Sequence, residues 1–111
     1  MSAPVLQYEK RDHIAYITFN RPERRNAMNP EMICRLADAW EDFAADDNMR
    51  VALVTGAGTE AFTAGADLKT MIPLLSGARE PEDEWDFRLL ADDQKVSRAA
   101  TLKNSTLYKP I

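Results

Sequence analysis

Cysteine and histidine are almost missing from this chain, which has one of each, Cys34 and His13. A single cysteine excludes an intramolecular disulfide and a cysteine-based zinc site, and no metal site is expected. Counting leaves a Cys–His nucleophilic pair open. However, His13 falls in a turn beside a strand, Cys34 falls in a helical stretch near the core, and no motif supports pairing them. No apolar run approaches the ~20 residues of a transmembrane helix. The opening Met1-Ser2-Ala3-Pro4 is not followed by the apolar stretch of a secretory signal. A soluble, cytoplasmic protein with no membrane partner is the expectation. Positive charge is also in deficit. Fourteen Lys and Arg face eighteen Asp and Glu, a formal net charge of −4. General nucleic-acid binding rests on Lys and Arg at phosphates and is not expected here.

What is present is a globular balance, 45% hydrophobic and 29% charged over 111 residues, enough for one small domain. Val5 to Glu9 alternates as a short strand. Asp12-His13 reads as a turn, and Ile14 to Phe19, rich in β-branched and aromatic residues, as a second strand. The two form a hairpin that Asn20-Arg21-Pro22 ends, because proline has no N–H for the ladder. Asn29-Pro30-Glu31 is a helix start, with an Asn cap, proline in the first turn and an acid near the positive dipole end. Met32, Ile33, Leu36, Ala37, Trp40, Phe43 and Ala44 then recur at helical steps as one apolar face. Asp46-Asp47-Asn48 closes that helix. Val51 to Thr55 is a continuous apolar run, expected to be a strand buried on both faces. The order is strand, strand, helix, strand, an α/β pattern.

Gly56 to Gly65 reads as a loop. Leu68 to Leu75 reads as a short helix that Pro73 should end early or kink, and Ser76-Gly77 is a break. Glu80 to Asp93 carries seven acids against one base, Arg88, and is expected to be a solvated helix face. Trp85, Leu89, Val96 and Ala100 keep an apolar stripe through it. Trp40 and Trp85 suit helix–sheet packing. Leu107 to Ile111 looks like the start of another strand. A sheet with that strand unbuilt has a large uncovered edge, so the chain reads as the first part of a longer protein.

Two glycine patterns compete for a functional role. Gly56-Ala57-Gly58-Thr59-Glu60-Ala61 fits G-x-G-x-x-G/A after a strand. A dinucleotide site also needs a helix opening at the glycines and an acid ~20 residues on. Here Gly65 would fall inside that helix and Ser76 stands near the acidic position, so the pattern is set aside. Ala61-Phe62-Thr63-Ala64-Gly65-Ala66-Asp67-Leu68-Lys69 leads instead from a loop of small residues into a helix. Backbone N–H groups there are unpaired and sit at the positive end of the dipole. That arrangement suits a developing oxyanion or a phosphate. Gly65 as a simple turn residue is the other reading.

Taken together, these segments resemble the crotonase, or enoyl-CoA hydratase/isomerase, superfamily. Asn20-Arg21-Pro22-Glu23-Arg24-Arg25-Asn26-Ala27-Met28-Asn29 looks like its first CoA-binding segment. Val51 to Gly58 followed by Ala61 to Leu68 looks like its first oxyanion segment. Tyr108-Lys109-Pro110-Ile111 resembles the approach to the strand before its second glycine-rich segment. Ser76 to Asn104 is the weakest part of the match. The resemblance implies a crotonase-like β-β-α spiral, incomplete, with residues 1–111 as the N-terminal part of an acyl-CoA-binding domain. It implies an acyl-CoA substrate, coenzyme A as part of that substrate rather than a separate cofactor, and a homotrimer or hexamer at full length. The Ala66 N–H would be the first of two donors to the thioester oxygen. The Ala64 and Leu68 carbonyls would hold the adenine amino group of CoA. Arg24 and Arg25 would lie near its phosphates and ribose, which guanidinium groups suit. Asp67 is expected to cap the following helix rather than act as an acid/base.

The resemblance also implies that the second donor and the usual catalytic glutamates fall after residue 111. Glu31 and Glu60 fit neither role. Asp83, Glu84 and Asp86 lie in a variable helix where the resemblance implies that a few relatives recruit an acid/base residue, but solvation explains this charge run. Two function classes therefore stand. One is an enoyl-CoA hydratase/isomerase-type enzyme of fatty acid metabolism. The other is a non-catalytic acyl-CoA-binding or truncated fragment. Within the enzyme class, an isomerase, hydrolase or decarboxylase activity is the runner-up.

Overall fold

A computed structural model describes residues 4–91 and residue 111. Strands β1 (Leu6–Arg11) and β2 (Ile14–Phe19) pair antiparallel, from Leu6 opposite Phe19 to Arg11 opposite Ile14. The link is only Asp12 and His13, at φ 51° and 68°. Positive φ at both linking residues matches a type I′ turn, whose twist suits a hairpin. The mouth of the hairpin is tied by Asn20, whose N–H donates to the Val5 carbonyl at 2.7 Å and whose Nδ2 donates to the Pro4 carbonyl at 3.0 Å. Alternate residues of β2, namely Ala15, Ile17 and Phe19, are buried, as a period of two demands when one sheet face meets the core.

Helix α1 (Pro30–Ala45) begins as its residues dictate. Asn29 Oδ1 accepts the Met32 N–H at 2.9 Å, and Pro30 fills the first turn. Met32, Ile33, Leu36, Ala37, Trp40 and Phe43 are buried. Ala44 is exposed and does not belong to that face, whereas Cys34 and Ala39 do. Trp40 lies edge-on to Phe43, with ring centroids 6.3 Å apart. On the rim, Asp42 accepts from Tyr8 Oη at 2.7 Å and Lys10 Nζ at 2.8 Å, and Lys10 also reaches Asp46 at 2.9 Å. These hydrogen bonds, from Lys10 and then from Tyr8, hold the Asp42 carboxyl below its ordinary range. His13 joins the hairpin to the end of α1, with Nδ1 2.7 Å from the Asn48 carbonyl oxygen.

Strand β3 (Val51–Gly56) runs parallel to β2 and gives a three-stranded sheet in the order β1-β2-β3. It is not buried on both faces as expected. Ala52 is fully buried and Val54 packs on the core, but Leu53 is 50% exposed and Thr55 is exposed. Successive side chains leave a strand on opposite faces, and the core described here lies on only one of them.

Helix α2 (Leu68–Ser76) runs through Pro73 to the expected break, where Gly77 at φ 82° caps it. Proline has no N–H for the carbonyl four residues back. The next carbonyl, Thr70, takes Arg79 Nε at 3.3 Å and Nη2 at 3.0 Å. Helix α3 (Glu84–Ala91) packs on α1. Leu89 is fully buried, Cys34 Sγ donates to the Trp85 carbonyl at 3.6 Å, and Arg88 grips Asp38 through both Nη atoms at 3.1 and 2.8 Å. Burial pushes the Cys34 thiol up. Trp85 is a helix–helix residue rather than a helix–sheet one. It stacks under Arg35 (4.8 Å) and Arg88 (5.7 Å), because α3 packs chiefly on α1. Val96, Ala100 and the Leu107 to Pro110 stretch lie outside the described residues.

The acidic run is not wholly a solvated face. Asp86 is 4% exposed and accepts from Arg79 Nη1 at 2.7 Å and from the Glu82 N–H at 3.0 Å. Arg79 holds its carboxyl below the ordinary range. A carboxyl depressed on folding stabilises the fold above its unfolded pKa, about 3.9, and loses that contribution as pH falls through the lower folded value. Acid should therefore loosen the start of α3 from Arg79 and α2 below about pH 4, read as a change in Trp85 fluorescence. Asp86→Asn should abolish that acid step. An unchanged step in this variant would contradict the assignment.

Candidate active site

Two loops cross at the C-terminal ends of β2 and β3. The first, residues 20–28, carries a single 3₁₀ turn, Pro22–Arg24, followed by two left-handed residues, Arg25 (φ 53°) and Asn26 (φ 58°). That reversal turns Asn26 inward, where it is fully buried. Its Oδ1 accepts the Arg21 N–H at 2.9 Å. Its Nδ2 donates to the carbonyls of Ala57 at 3.0 Å and Ala61 at 2.9 Å. One side chain thus fastens the first loop to the second. Gly56 makes room for it: a Cβ there would collide with the Phe62 carbonyl and stand 2.7 Å from Asn26 Nδ2. Phe62 stacks on Phe19 at 5.2 Å, which pins the middle of the second loop to β2.

The second loop then runs beside the first like a short strand. Ala64 N–H donates to the Arg25 carbonyl at 3.0 Å, Met28 N–H to the Gly65 carbonyl at 2.7 Å, and Asp67 N–H to the Met28 carbonyl at 2.8 Å. Thr63 Oγ1 donates to the Asn26 carbonyl at 2.6 Å and accepts the Gly65 N–H at 3.1 Å. Gly65 takes φ 87°, a left-handed conformation glycine adopts at no steric cost. Ala66 pairs with Met28 in a parallel bridge, which uses the Gly65 carbonyl and the Asp67 N–H and leaves the Ala66 N–H unused. Among the described residues, Ala66 N–H has no protein acceptor, and Ala66 is exposed. It stands just before α2, where an outward N–H also gains from the helix dipole.

Asp67 occupies the N-cap position of α2, but its side chain does not cap. Its Oδ2 instead meets Arg21 Nη1 at 3.2 Å, with the two side chains only 14% and 11% exposed. An opposite charge in a poorly solvated place outcompetes a backbone amide. The expected capping role is corrected accordingly. Arg21 Nη1 also donates to the Ala27 carbonyl at 2.6 Å.

The other expected residues lie around the same crossing. Arg24 is exposed on the 3₁₀ turn. Arg25 is exposed beside it, with Nε 3.3 Å from Glu60 Oε2. A surface pair of this kind is worth little, so Arg25 is free to exchange partners. Arg25 also lines a groove of about 210 Å³ with Pro22, Asn26, Ala57, Gly58 and Glu60. Ala64 is exposed, and Leu68 is the first residue of α2. Among the described residues the Ala64 carbonyl receives no donor. The acids are committed elsewhere: Glu31 to Arg35 at 2.8 Å, Glu60 to Arg25, and Asp86 to Arg79. Asp83 Oδ1 accepts the Asp86 N–H at 2.9 Å at the start of α3, and Glu84 is exposed on its first turn. Sequence reasoning gave no role to Arg21, Asn26 or Thr63. The available signal was Asn after Arg in a polar loop, since Asn tolerates the left-handed region.

Comparison with known proteins places this geometry. The sequence profile described as enoyl-CoA hydratase/isomerase matches residues 9–98. The (E)-benzylidenesuccinyl-CoA hydratase of Thauera aromatica is 42% identical over 103 residues, 93% of this chain and 36% of that protein. A solved enoyl-CoA hydratase/isomerase from Mycobacterium paratuberculosis superposes with a TM-score of 0.66 at 26% identity, covering 87% of this chain and 36% of the other. A carnitinyl-CoA hydratase from Mycobacterium avium gives 0.61 at 34% identity, covering 71% and 29%. The chain spans 24–36% of the length of the curated relatives it matches. The fold is the α/β crotonase fold, represented by its N-terminal region.

Proposed function

Because this chain belongs to the enoyl-CoA hydratase/isomerase family, we propose that it supplies the acyl-CoA-binding and first oxyanion segments of an enoyl-CoA hydratase-like enzyme. The observation that carries this reading is the Ala66 N–H. Among the described residues it lacks a protein acceptor, while the hydrogen bonds of Ala64, Gly65 and Asp67 hold the backbone on both sides of it. A donor fixed in this way costs no reorganisation when charge grows on a thioester oxygen. It therefore stabilises the enolate-like transition state more than the ground state.

In this account residues 1–111 are the N-terminal part of an acyl-CoA-binding domain in a soluble, cytoplasmic homotrimer or hexamer. No cofactor beyond the CoA of the substrate is used. The Ala64 carbonyl, which receives no donor among the described residues, and the second lone pair of the Leu68 carbonyl take the adenine amino group. Arg24 and Arg25 take phosphate and ribose. The second donor and the carboxylates that move protons at the α and β carbons come from outside this chain. The engagement of Glu31 and Asp86 by arginines also favours a second reading, acyl-CoA binding without turnover by this chain alone.

Calorimetric titration with free CoA tests the placement. Arg24→Ala combined with Arg25→Ala should raise the dissociation constant about tenfold or more, as lost charge-assisted hydrogen bonds of ~1.5–3 kcal/mol require. A pantetheine thioester, which lacks the nucleotide phosphates, should show little change. Equal effects on both ligands, or none on CoA, would remove the arginines from the site.

A further inference from the structure

Asp67 puts a carboxylate on the residue next to the amide assigned to the thioester oxygen, and that charge opposes the reaction it flanks. Like charges a few ångströms apart in a poorly solvated place repel strongly. Nothing in backbone hydrogen bonding requires an acid here, because the Asp67 side chain makes no cap. What the acid does make is the pair with Arg21, at 3.2 Å and largely shielded from solvent. The same Arg21 nitrogen donates to the Ala27 carbonyl at 2.6 Å. Ala27 directly precedes Met28, the residue bridged to Ala66. One guanidinium therefore holds the residue after the donor, holds the segment across from it and neutralises the carboxylate of that adjacent residue.

We propose that Arg21 and Asp67 are positioning residues that hold the Ala66 backbone against residues 27–28 and so fix the direction of its N–H, and that Arg21 cancels the Asp67 charge so that an anionic oxygen is accepted at this amide. The proposal rests on the acyl-CoA reading above and deepens it. Neither side chain is assigned a contact with the reacting atoms. Their effect is exerted through Ala66 and through the local field.

The test uses the protein as the cell makes it, with acetoacetyl-CoA as the probe. This β-keto thioester ionises to an enolate with its own ultraviolet band, so the apparent pH of ionisation of the bound ligand reports how well negative charge is tolerated. Arg21→Met should raise that pH by about one unit, a tenfold loss of enolate at fixed pH. Asp67→Asn should shift it the opposite way, because Arg21 then faces the site uncompensated. Arg21→Met with Asp67→Asn should return it close to the natural value, and Arg21→Lys should leave it nearly unmoved. Free CoA, which has no thioester carbonyl, should bind all forms alike. A purely structural pair would shift both single variants in the same direction and would not recover in the double variant, and that outcome overturns the proposal. If Arg21→Met does not fold, the opposite-signed shift in Asp67→Asn still decides. If the natural protein binds neither CoA nor acetoacetyl-CoA, the acyl-CoA reading falls and this inference falls with it. Binding of both with an ionisation that no variant moves overturns the inference alone.

Discussion

Ala66→Pro is expected to lower thioester turnover on the order of 10²–10³-fold while leaving the melting temperature nearly unchanged, the usual effect of losing one oxyanion donor. The substitution is unusually clean at this position. Proline removes one N–H, and that N–H has no protein acceptor among the described residues. The bridge to Met28 survives, since it uses the Gly65 carbonyl and the Asp67 N–H. The residue before a proline is restricted partly through its Cβ, and here it is glycine, which has none, while Ala66 itself is not in the positive-φ region that proline cannot enter. Steady-state rates with crotonyl-CoA, set beside thermal denaturation, check both halves. A large fall in stability, or turnover within about threefold of the natural rate, would contradict the role given to this amide.

Asn26→Ala should be the most destabilising polar substitution in the crossing, by more than about 3 kcal/mol. Its loss strands the half-buried Arg21 N–H and carbonyls of Ala57 and Ala61, and each unsatisfied group costs about 1 kcal/mol, the low end for buried groups. Alanine at φ 58° adds a left-handed backbone penalty of roughly 1–2 kcal/mol. Asn26→Asp should be no better, because it replaces the two-carbonyl donor with a negative charge facing the same oxygens. Urea denaturation of both variants measures this. A loss under 1 kcal/mol would mean that the two loops are held by the backbone ladder of Arg25 to Met28 rather than by this side chain.

The parts legible in the sequence were those with local causes. The Asn29-Pro30 start of α1 follows from capping chemistry, and its buried face follows from spacing. The Asp12-His13 reversal follows from two polar residues between alternating strands. Burial of β3 was misread because an apolar run looks the same whether a second layer covers it or not, and Leu53 depends on that layer. Asp67 and Asp86 were misread for a shared reason: each was given its surface or capping preference, while an arginine distant in sequence or across a turn took the carboxylate. Arg21 looked like mere flanking of Pro22. Asn26 sat inside a recognised segment, yet nothing local shows that its amide bonds Ala57 and Ala61 more than thirty positions away. The family resemblance pointed to the loop 61–68, and the cross-loop hydrogen bonds leave the Ala66 N–H without an acceptor among the described residues.

The most direct measurement is the infrared carbonyl stretch of crotonyl-CoA, carbon-13 labelled at the thioester carbonyl and bound to the protein as the cell makes it. A donor aimed at the oxygen polarises the bond. The account therefore predicts a stretch at lower wavenumber than in water, and a return toward the water value in Ala66→Pro with the ligand still bound. A bound thioester with no shift, or with the same shift in both proteins, would contradict the assignment of Ala66 to the oxyanion.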